Sequence, residues 1–242
     1  MTKRSFGELK RFARELLLGN YAVIMLATAI SFFVPLILTI PFSIEFTGKL
    51  NANIIICFIA AVIIEILGKL LTVGVMQMHL LLAQKQQVAF TDLFRIFRNG
   101  PDRFILATML LYAMLLTPLL LTGAAVYLLM PEQLPAKAAF LVCVFVLFTA
   151  VELYLTYVYE LIYPLYLEHP DITVLQGFRI SRKLMYGNKK RLFLLQLSFL
   201  GWTLLGFCSA GVGFLWISPY MTQTTVNFYL DLISGKKEYI VC

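Results

Sequence analysis

Long, mostly apolar runs are the feature that most constrains this chain. Tyr21 to Ile40, Ile54 to Leu82, Phe104 to Met130, Ala138 to Leu167, and a stretch from Leu192 to about Ile233 each reach the length at which a helix crosses a bilayer, for which ~20 mostly apolar residues suffice. The last run is too long for one crossing. Gly211, Gly213 and Pro219 fall near its middle and divide it into Leu192 to about Val212 and Phe214 to Ile233, which predicts six spans. Composition agrees: 60% of the 242 residues are hydrophobic and 14% charged, against ~45–50% apolar in soluble domains. The expected class is therefore an all-α, polytopic membrane protein.

Lys and Arg accumulate in loops on the cytoplasmic side, and their distribution here orients the spans. With the N-terminal segment inside, the cytoplasmic segments hold Lys3, Arg4, Lys10, Arg11 and Arg14; Lys85, Arg95, Arg98 and Arg103; Arg179, Arg182, Lys183, Lys189, Lys190 and Arg191; and Lys236 and Lys237. That is 17 of the 20 basic residues. Lys49 and Lys137 fall outside and Lys69 within a span. Both termini are expected in the cytoplasm. The formal charge of +7 reads as a topology signal and an attraction to anionic lipid headgroups, with no nucleic-acid partner implied. Tyr21 to Ile40 is longer than a signal-peptide core and lacks a small-residue cleavage site, so a cleaved signal is not expected.

Three basic segments recur in register. Phe178-Arg179-Ile180-Ser181-Arg182 repeats Phe94-Arg95-Ile96-Phe97-Arg98 from 84 residues earlier, and Arg11-Phe12-Ala13-Arg14 keeps the Arg spacing a further 84 residues upstream. Pro35-Leu36-Ile37-Leu38-Thr39 is echoed by Pro118-Leu119-Leu120-Leu121-Thr122. Each basic segment ends at a turn signal, Gly19-Asn20, Asn99-Gly100-Pro101 or Gly187-Asn188. The pattern suggests a single membrane domain over 1–242 with a threefold repeat at 5–82, 90–167 and 174–234, each unit a basic amphipathic helix followed by a helical hairpin. The alternative is that every hairpin starting from the inside needs a basic lead-in. Ser5 and Glu8 have the spacing of a capping box. Phe6, Leu9, Ala13 and Leu16, then Phe90, Leu93, Phe94 and Phe97, then Val174, Leu175, Phe178 and Met185 supply apolar stripes. Such helices are expected in the headgroup plane, apolar side down, with Arg11, Arg14, Arg95, Arg98, Arg179, Arg182, Lys183, Lys189, Lys190 and Arg191 as headgroup contacts. A protein-binding role for the same faces stays open.

Charges within a bilayer are costly and mark candidate sites. Glu65, Lys69, Thr72 and His79 share one face of the second span; Thr149, Glu152, Thr156, Glu160 and Tyr163 form a comparable stripe on the fourth; Thr222, Gln223, Asn227 and Asp231 lie on the sixth. The even-numbered spans are thus expected to face a polar centre, and Glu65, Lys69, His79, Glu152 and Glu160 form the candidate intramembrane polar site. Glu65 can pair with Lys69. For Glu152 two readings compete: a proton or cation site, or an interhelical hydrogen bond that reaches Lys69. Cys57, Cys143, Cys208 and Cys242 are scattered with no CxxC pair, so neither a disulfide framework nor a metal site is expected. No phosphate loop or nucleophile elbow occurs. Enzymatic activity and a cofactor are not expected.

Two regions also carry a resemblance. Leu9-Lys10-Arg11-Phe12-Ala13-Arg14 with Leu18-Gly19-Asn20-Tyr21, and then Ser181-Arg182-Lys183-Leu184-Met185-Tyr186-Gly187-Asn188-Lys189, Leu197-Ser198-Phe199-Leu200-Gly201-Trp202, Gly211-Val212-Gly213-Phe214-Leu215-Trp216, Pro219-Tyr220 and Phe228-Tyr229 resemble the uncharacterised bacterial membrane-protein family catalogued as domain of unknown function 975, found largely in Firmicutes. Tyr186 stands where the family pattern has Lys. The resemblance implies multiple spans in a bacterial plasma membrane and supplies no catalytic residue. The functional expectation is a non-enzymatic membrane protein that supports or regulates a partner complex; the alternative is a transporter or channel for a small solute, ion or lipid.

Overall fold

The computed structural model describes residues 4–43, 52–98, 100–114 and 134–235. Among these the regular structure is entirely helical: α1 (Phe6–Leu17), α2 (Tyr21–Ser43), α3 (Ala52–Ala83), a 3-10 turn (Phe90–Phe94), α4 (Arg95–Arg98), α5 (102–114), α6 (Leu134–Tyr159), α7 (Ile162–Glu168), α8 (Val174–Met185), α9 (Lys189–Leu197), α10 (Leu200–Cys208) and α11 (Phe214–Ser234). Among the described residues three helical segments are long and apolar enough to cross a membrane, Tyr21–Phe42, Ile59–Ala83 and Val142–Glu168. A fourth is added if α9 and α10, bent by 41° at their junction, form one broken span. Lys49, the side chain of Lys137, Asn99, Lys236, Lys237, Cys242 and the 118–122 echo lie outside the described residues.

Local chemistry sets the boundaries. Ser5 caps α1: its hydroxyl accepts from the Glu8 amide at 3.3 Å while its own amide donates to the Glu8 carboxylate at 2.7 Å. That backbone donation, followed by the Ser5 hydroxyl, holds the Glu8 carboxyl below its usual value. Thr173 and Gln176 repeat the device at α8. Gly19 and Gly187 take positive φ at the ends of α1 and α8, which a residue without Cβ adopts at little cost. Pro164 separates α6 from α7. Its ring has no N–H for the Glu160 carbonyl four residues back, and it crowds that carbonyl, so the helical ladder is interrupted at Glu160 and resumes where the Leu165 amide donates to the Leu161 carbonyl at 3.2 Å. At the far end, Ser209 to Gly213 form turns, and the chain from Leu192 to Ile233 is not one helix, as the Gly positions predicted, whereas Pro219 lies inside α11.

Burial is uneven along the long helices. In α2, Ile24 and Ala27 are buried whereas Phe32, Leu36, Ile37 and Ile40 are exposed. In α3 the order reverses: Ile56, Ile59 and Ile63 are exposed, then Leu70, Val73, Met78 and Leu82 are buried. α3 has 32 residues and at 1.5 Å per residue is about 48 Å long, well beyond a hydrocarbon core of ~30 Å. Its second half is therefore an axis for a packed core, and its first half projects from it beside α2.

Three apolar clusters make that core among the described residues, and residues of the basic segments enter each of them. Leu9 of α1 and Ile180, Leu184 and Met185 of α8 join Leu165, Val226 and Phe228. Leu17 and Leu93 join Ile24, Met78 and Leu82. Ile96 joins Val73, Phe104 and Tyr166. The expectation that these apolar stripes lie against lipid is corrected here: the chain's own helices cover them. The stripes also shift. Leu175 and Phe94 are exposed, and the buried face of α8 runs through Gly177, Ile180, Ser181, Leu184 and Met185. Small residues allow this, because the Ser181 hydroxyl donates to the Val158 carbonyl at 2.9 Å and a Cβ on Gly177 would enter the Tyr166 ring.

Candidate functional site

The candidate polar residues separate into distinct environments. His79 is fully buried and its Nδ1 donates to Oε1 of Gln223 at 2.8 Å. The Gln223 amide donates back to the His79 carbonyl at 3.3 Å and to Asn227 at 3.4 Å, and Asn227 donates to the Leu9 carbonyl at 3.2 Å. A side-chain chain thus ties α3, α11 and α1 together in the core. Of the polar stripe on the sixth predicted span, Gln223 and Asn227 make these contacts, Asp231 binds Arg191, and Thr222 lines the cavity described below. Glu65 does not bind Lys69; it accepts from the Tyr112 hydroxyl of α5 at 2.7 Å.

Glu152 and Glu160, eight residues apart, differ sharply. Glu152 sits on an exposed stretch of α6 and, among the described residues, has no hydrogen-bond or ion-pair partner; Lys69 does not reach it. Glu160 stands at the α6–α7 break and borders a cavity of about 560 Å³. Among the described residues no ion pair closes between Glu160 and Lys69. α2, α3, α9, α10 and α11 supply the remaining walls, with Thr28, Ser31 and Thr72 on one side and Ser218, Thr222 and Thr225 on the other. Among the described residues Glu160 is the only charged group on the lining. The cavity therefore lies where the buried feet of α2 and α3 pass into their exposed halves.

Sequence reasoning selected Thr72, Thr222 and Glu160 but missed Thr28, Ser31 and Thr203. A signal was present. Pro35 and Pro164 each lie four residues after a lining residue, Ser31 and Glu160, and each withdraws a helical amide from that residue's carbonyl.

The basic residues also divide. Arg11, Arg14, Arg95, Arg98, Arg179, Arg182, Lys183 and Lys190 are exposed. Lys189 instead donates to the Tyr154 hydroxyl at 2.8 Å and sits over its ring. Arg191 is an internal residue: its guanidinium binds Asp231 at 2.7 Å, with side-chain exposures of 14% and 7%, and donates to the Arg4 carbonyl at 2.6 Å. Lys10, partly buried beneath the Phe199 ring, has its pKa lowered by desolvation and donates to the Ser198 carbonyl at 3.0 Å.

Within the described residues these features define an all-helical protein with several membrane-compatible helices around a polar-lined cavity. The family profile described as "Protein of unknown function (DUF975)" covers residues 1–236. The chain belongs to that family, as the motifs around Leu9 and Ser181 implied. Neither the curated proteins nor the solved structures include a match to it.

Proposed function

We propose that the chain is a non-enzymatic, multi-pass protein of the bacterial plasma membrane that supports a membrane-protein partner through α6. The observation that carries this reading is the exposure of the Val142–Glu168 segment. Only 6% of its most apolar window is buried, against 39% for Ile59–Ala83, and Glu152 stands among exposed Phe145, Val146, Leu153 and Tyr154. Exposed apolar side chains suit lipid, but a carboxylate does not: a central ionised Asp costs ~2.5–3.5 kcal/mol on insertion scales. A partner helix that offers a donor or a cation to Glu152 removes that cost.

Photo-crosslinking in intact membranes tests it. A benzophenone side chain at Val146 or Leu153 should give a discrete protein adduct, and one at Ile37 on α2 should give lipid adducts only. Lipid adducts at all three positions would sink the proposal. An adduct the size of two copies of the chain would identify the partner as the chain itself.

The wider arrangement we propose is six spans in three hairpins, with both terminal segments in the cytoplasm and a threefold repeat. Its support is the Lys and Arg distribution. With native cysteines removed, an impermeant thiol reagent outside the cell should label a cysteine at Lys49 or Lys137 and miss one at Lys190; the opposite pattern excludes this threading. Transport of a small solute is the second reading, favoured by the Glu160 cavity.

A further inference from the structure

Hydrogen bonding on the cavity wall is one-sided. Thr28, Ser31, Thr72, Thr203 and Thr225 donate their hydroxyl protons to backbone carbonyls of their own helices or the adjoining turn at 2.8 to 3.1 Å. A hydroxyl has one proton, so these five groups can offer a guest only lone pairs. Glu160 adds a carboxylate. Pro35 and Pro164 add to the same side of the balance, since the helix supplies no amide four residues on for the carbonyls of Ser31 and Glu160. Against this stand Ser218 and Thr222 and the amide nitrogen of Gln196, whose oxygen already accepts from Tyr157 at 2.7 Å. A wall rich in acceptors with one carboxyl group among them suits a guest rich in donors, and a cationic guest pairs with that carboxyl in its ionised form.

Size and apolar lining narrow the guest further. A volume of about 560 Å³ lies within the ~300–1,000 Å³ typical of small-molecule sites and far exceeds a single coordinated ion. Phe32, Met76 and Phe214 line it as well, and an aromatic face attracts a cation while an apolar wall accepts a carbon chain. We infer that the cavity beside Glu160 is a binding site for an organic ammonium group, with the carboxylate as counter-ion, the helix hydroxyls as acceptors and the apolar wall holding the attached carbon chain. Two sources share this chemistry, a free amine and the headgroup of an ethanolamine lipid. The site is independent of the outer face of α6, so it stands or falls apart from the partner reading.

The test uses the full chain in nanodiscs of phosphatidylglycerol, with hexylammonium as probe, 1-hexanol as its neutral counterpart, and sodium ion. Hexylammonium should raise the thermal midpoint and hexanol and sodium should not. Glu160→Gln should weaken the apparent affinity for hexylammonium by ~10-fold or more, as loss of a charged hydrogen bond implies. If that variant does not fold, the paired change Thr28→Val with Thr72→Val removes acceptors at nearly constant volume and should weaken binding in the same direction. An equal response to hexanol, a response to sodium matching that to hexylammonium, or an affinity untouched by the variants overturns the assignment. Native mass spectrometry after exposure to phosphatidylethanolamine separates the sources. Retention by the native chain and not by Glu160→Gln assigns the lipid headgroup, whereas hexylammonium binding without retained lipid assigns a free amine. Neither ligand bound by the native chain also overturns it.

Discussion

Arg191→Met is expected to destabilise the folded chain by ~3–5 kcal/mol, the cost of leaving one member of a buried ion pair without the other. Asp231 is only 7% exposed and its carboxylate meets Arg191 at 2.7 Å, so no water shell is at hand to replace the guanidinium. The variant also removes a donor from the Arg4 carbonyl, which loosens the lead-in to α1. Removing both charges, as Arg191→Met with Asp231→Leu, should recover most of the loss, because a well-filled apolar pair often matches a buried ion pair. Reversible unfolding in a mild detergent measures all three chains. A single variant within ~1 kcal/mol of the native protein would show that Arg191 acts at the surface as an ordinary headgroup contact; its lipid dependence would then change while its stability did not.

Glycine replacements should change stability in opposite directions according to what faces them. A Cβ on Gly74 would run into the Leu93 carbonyl, which is backbone of the 3-10 turn and cannot rotate aside. Gly74→Ala should therefore cost ~1–3 kcal/mol, as overpacking does, despite alanine's better helix propensity. Gly201 on α10 has no heavy atom within 4 Å of the same position, so Gly201→Ala should stabilise by up to ~1 kcal/mol through helix propensity. Thermal midpoints of the two variants in one detergent provide the comparison. A shift of the same sign in both would mean that close approach of α3 to the 3-10 turn does not determine the response.

Much of the helical layout was legible because its causes are local. The Ser5–Glu8 cap, the turns at Gly19 and Gly187 and the interruption near Gly211 and Gly213 all depend on residues within one or two turns. The polar stripe on the sixth predicted span was also legible, since Gln223 and Asn227 recur at helical spacing. What the stripes face was not. Amphipathic periodicity identifies an apolar side for α1 and α8, but lipid and Val226 or Phe228 present the same apolar surface, and a periodicity cannot tell them apart. For the same reason the even-numbered spans did not all turn inward: α3 and α11 enter the core, while α6 remains outside it.

The candidate site was half legible. Glu160 and Thr72 stood out as polar residues in apolar runs, yet Thr28 and Ser31 looked like ordinary helix-tolerant hydroxyls, since a Ser or Thr that binds its own helix is common in such segments. Their importance comes from the convergence of α2, α3 and α11. That convergence requires Pro35 to lie against Gly68, a contact 33 positions apart in the chain that no single-helix pattern records. Arg191 was misassigned through the opposite error, because a run of Lys and Arg invites one reading for every member when Asp231 lies 40 positions away.

The interruptions fall unequally among the long helices, and this gives the molecule an asymmetry. α3 runs unbroken from its exposed half into the core, where it carries the His79–Gln223 contact. α6 meets the core through the break at Glu160–Leu161, and α9 meets α10 at a 41° bend. One long helix is thus continuous with the core and two are interrupted on the way to it, and the Glu160 cavity is bordered by both kinds.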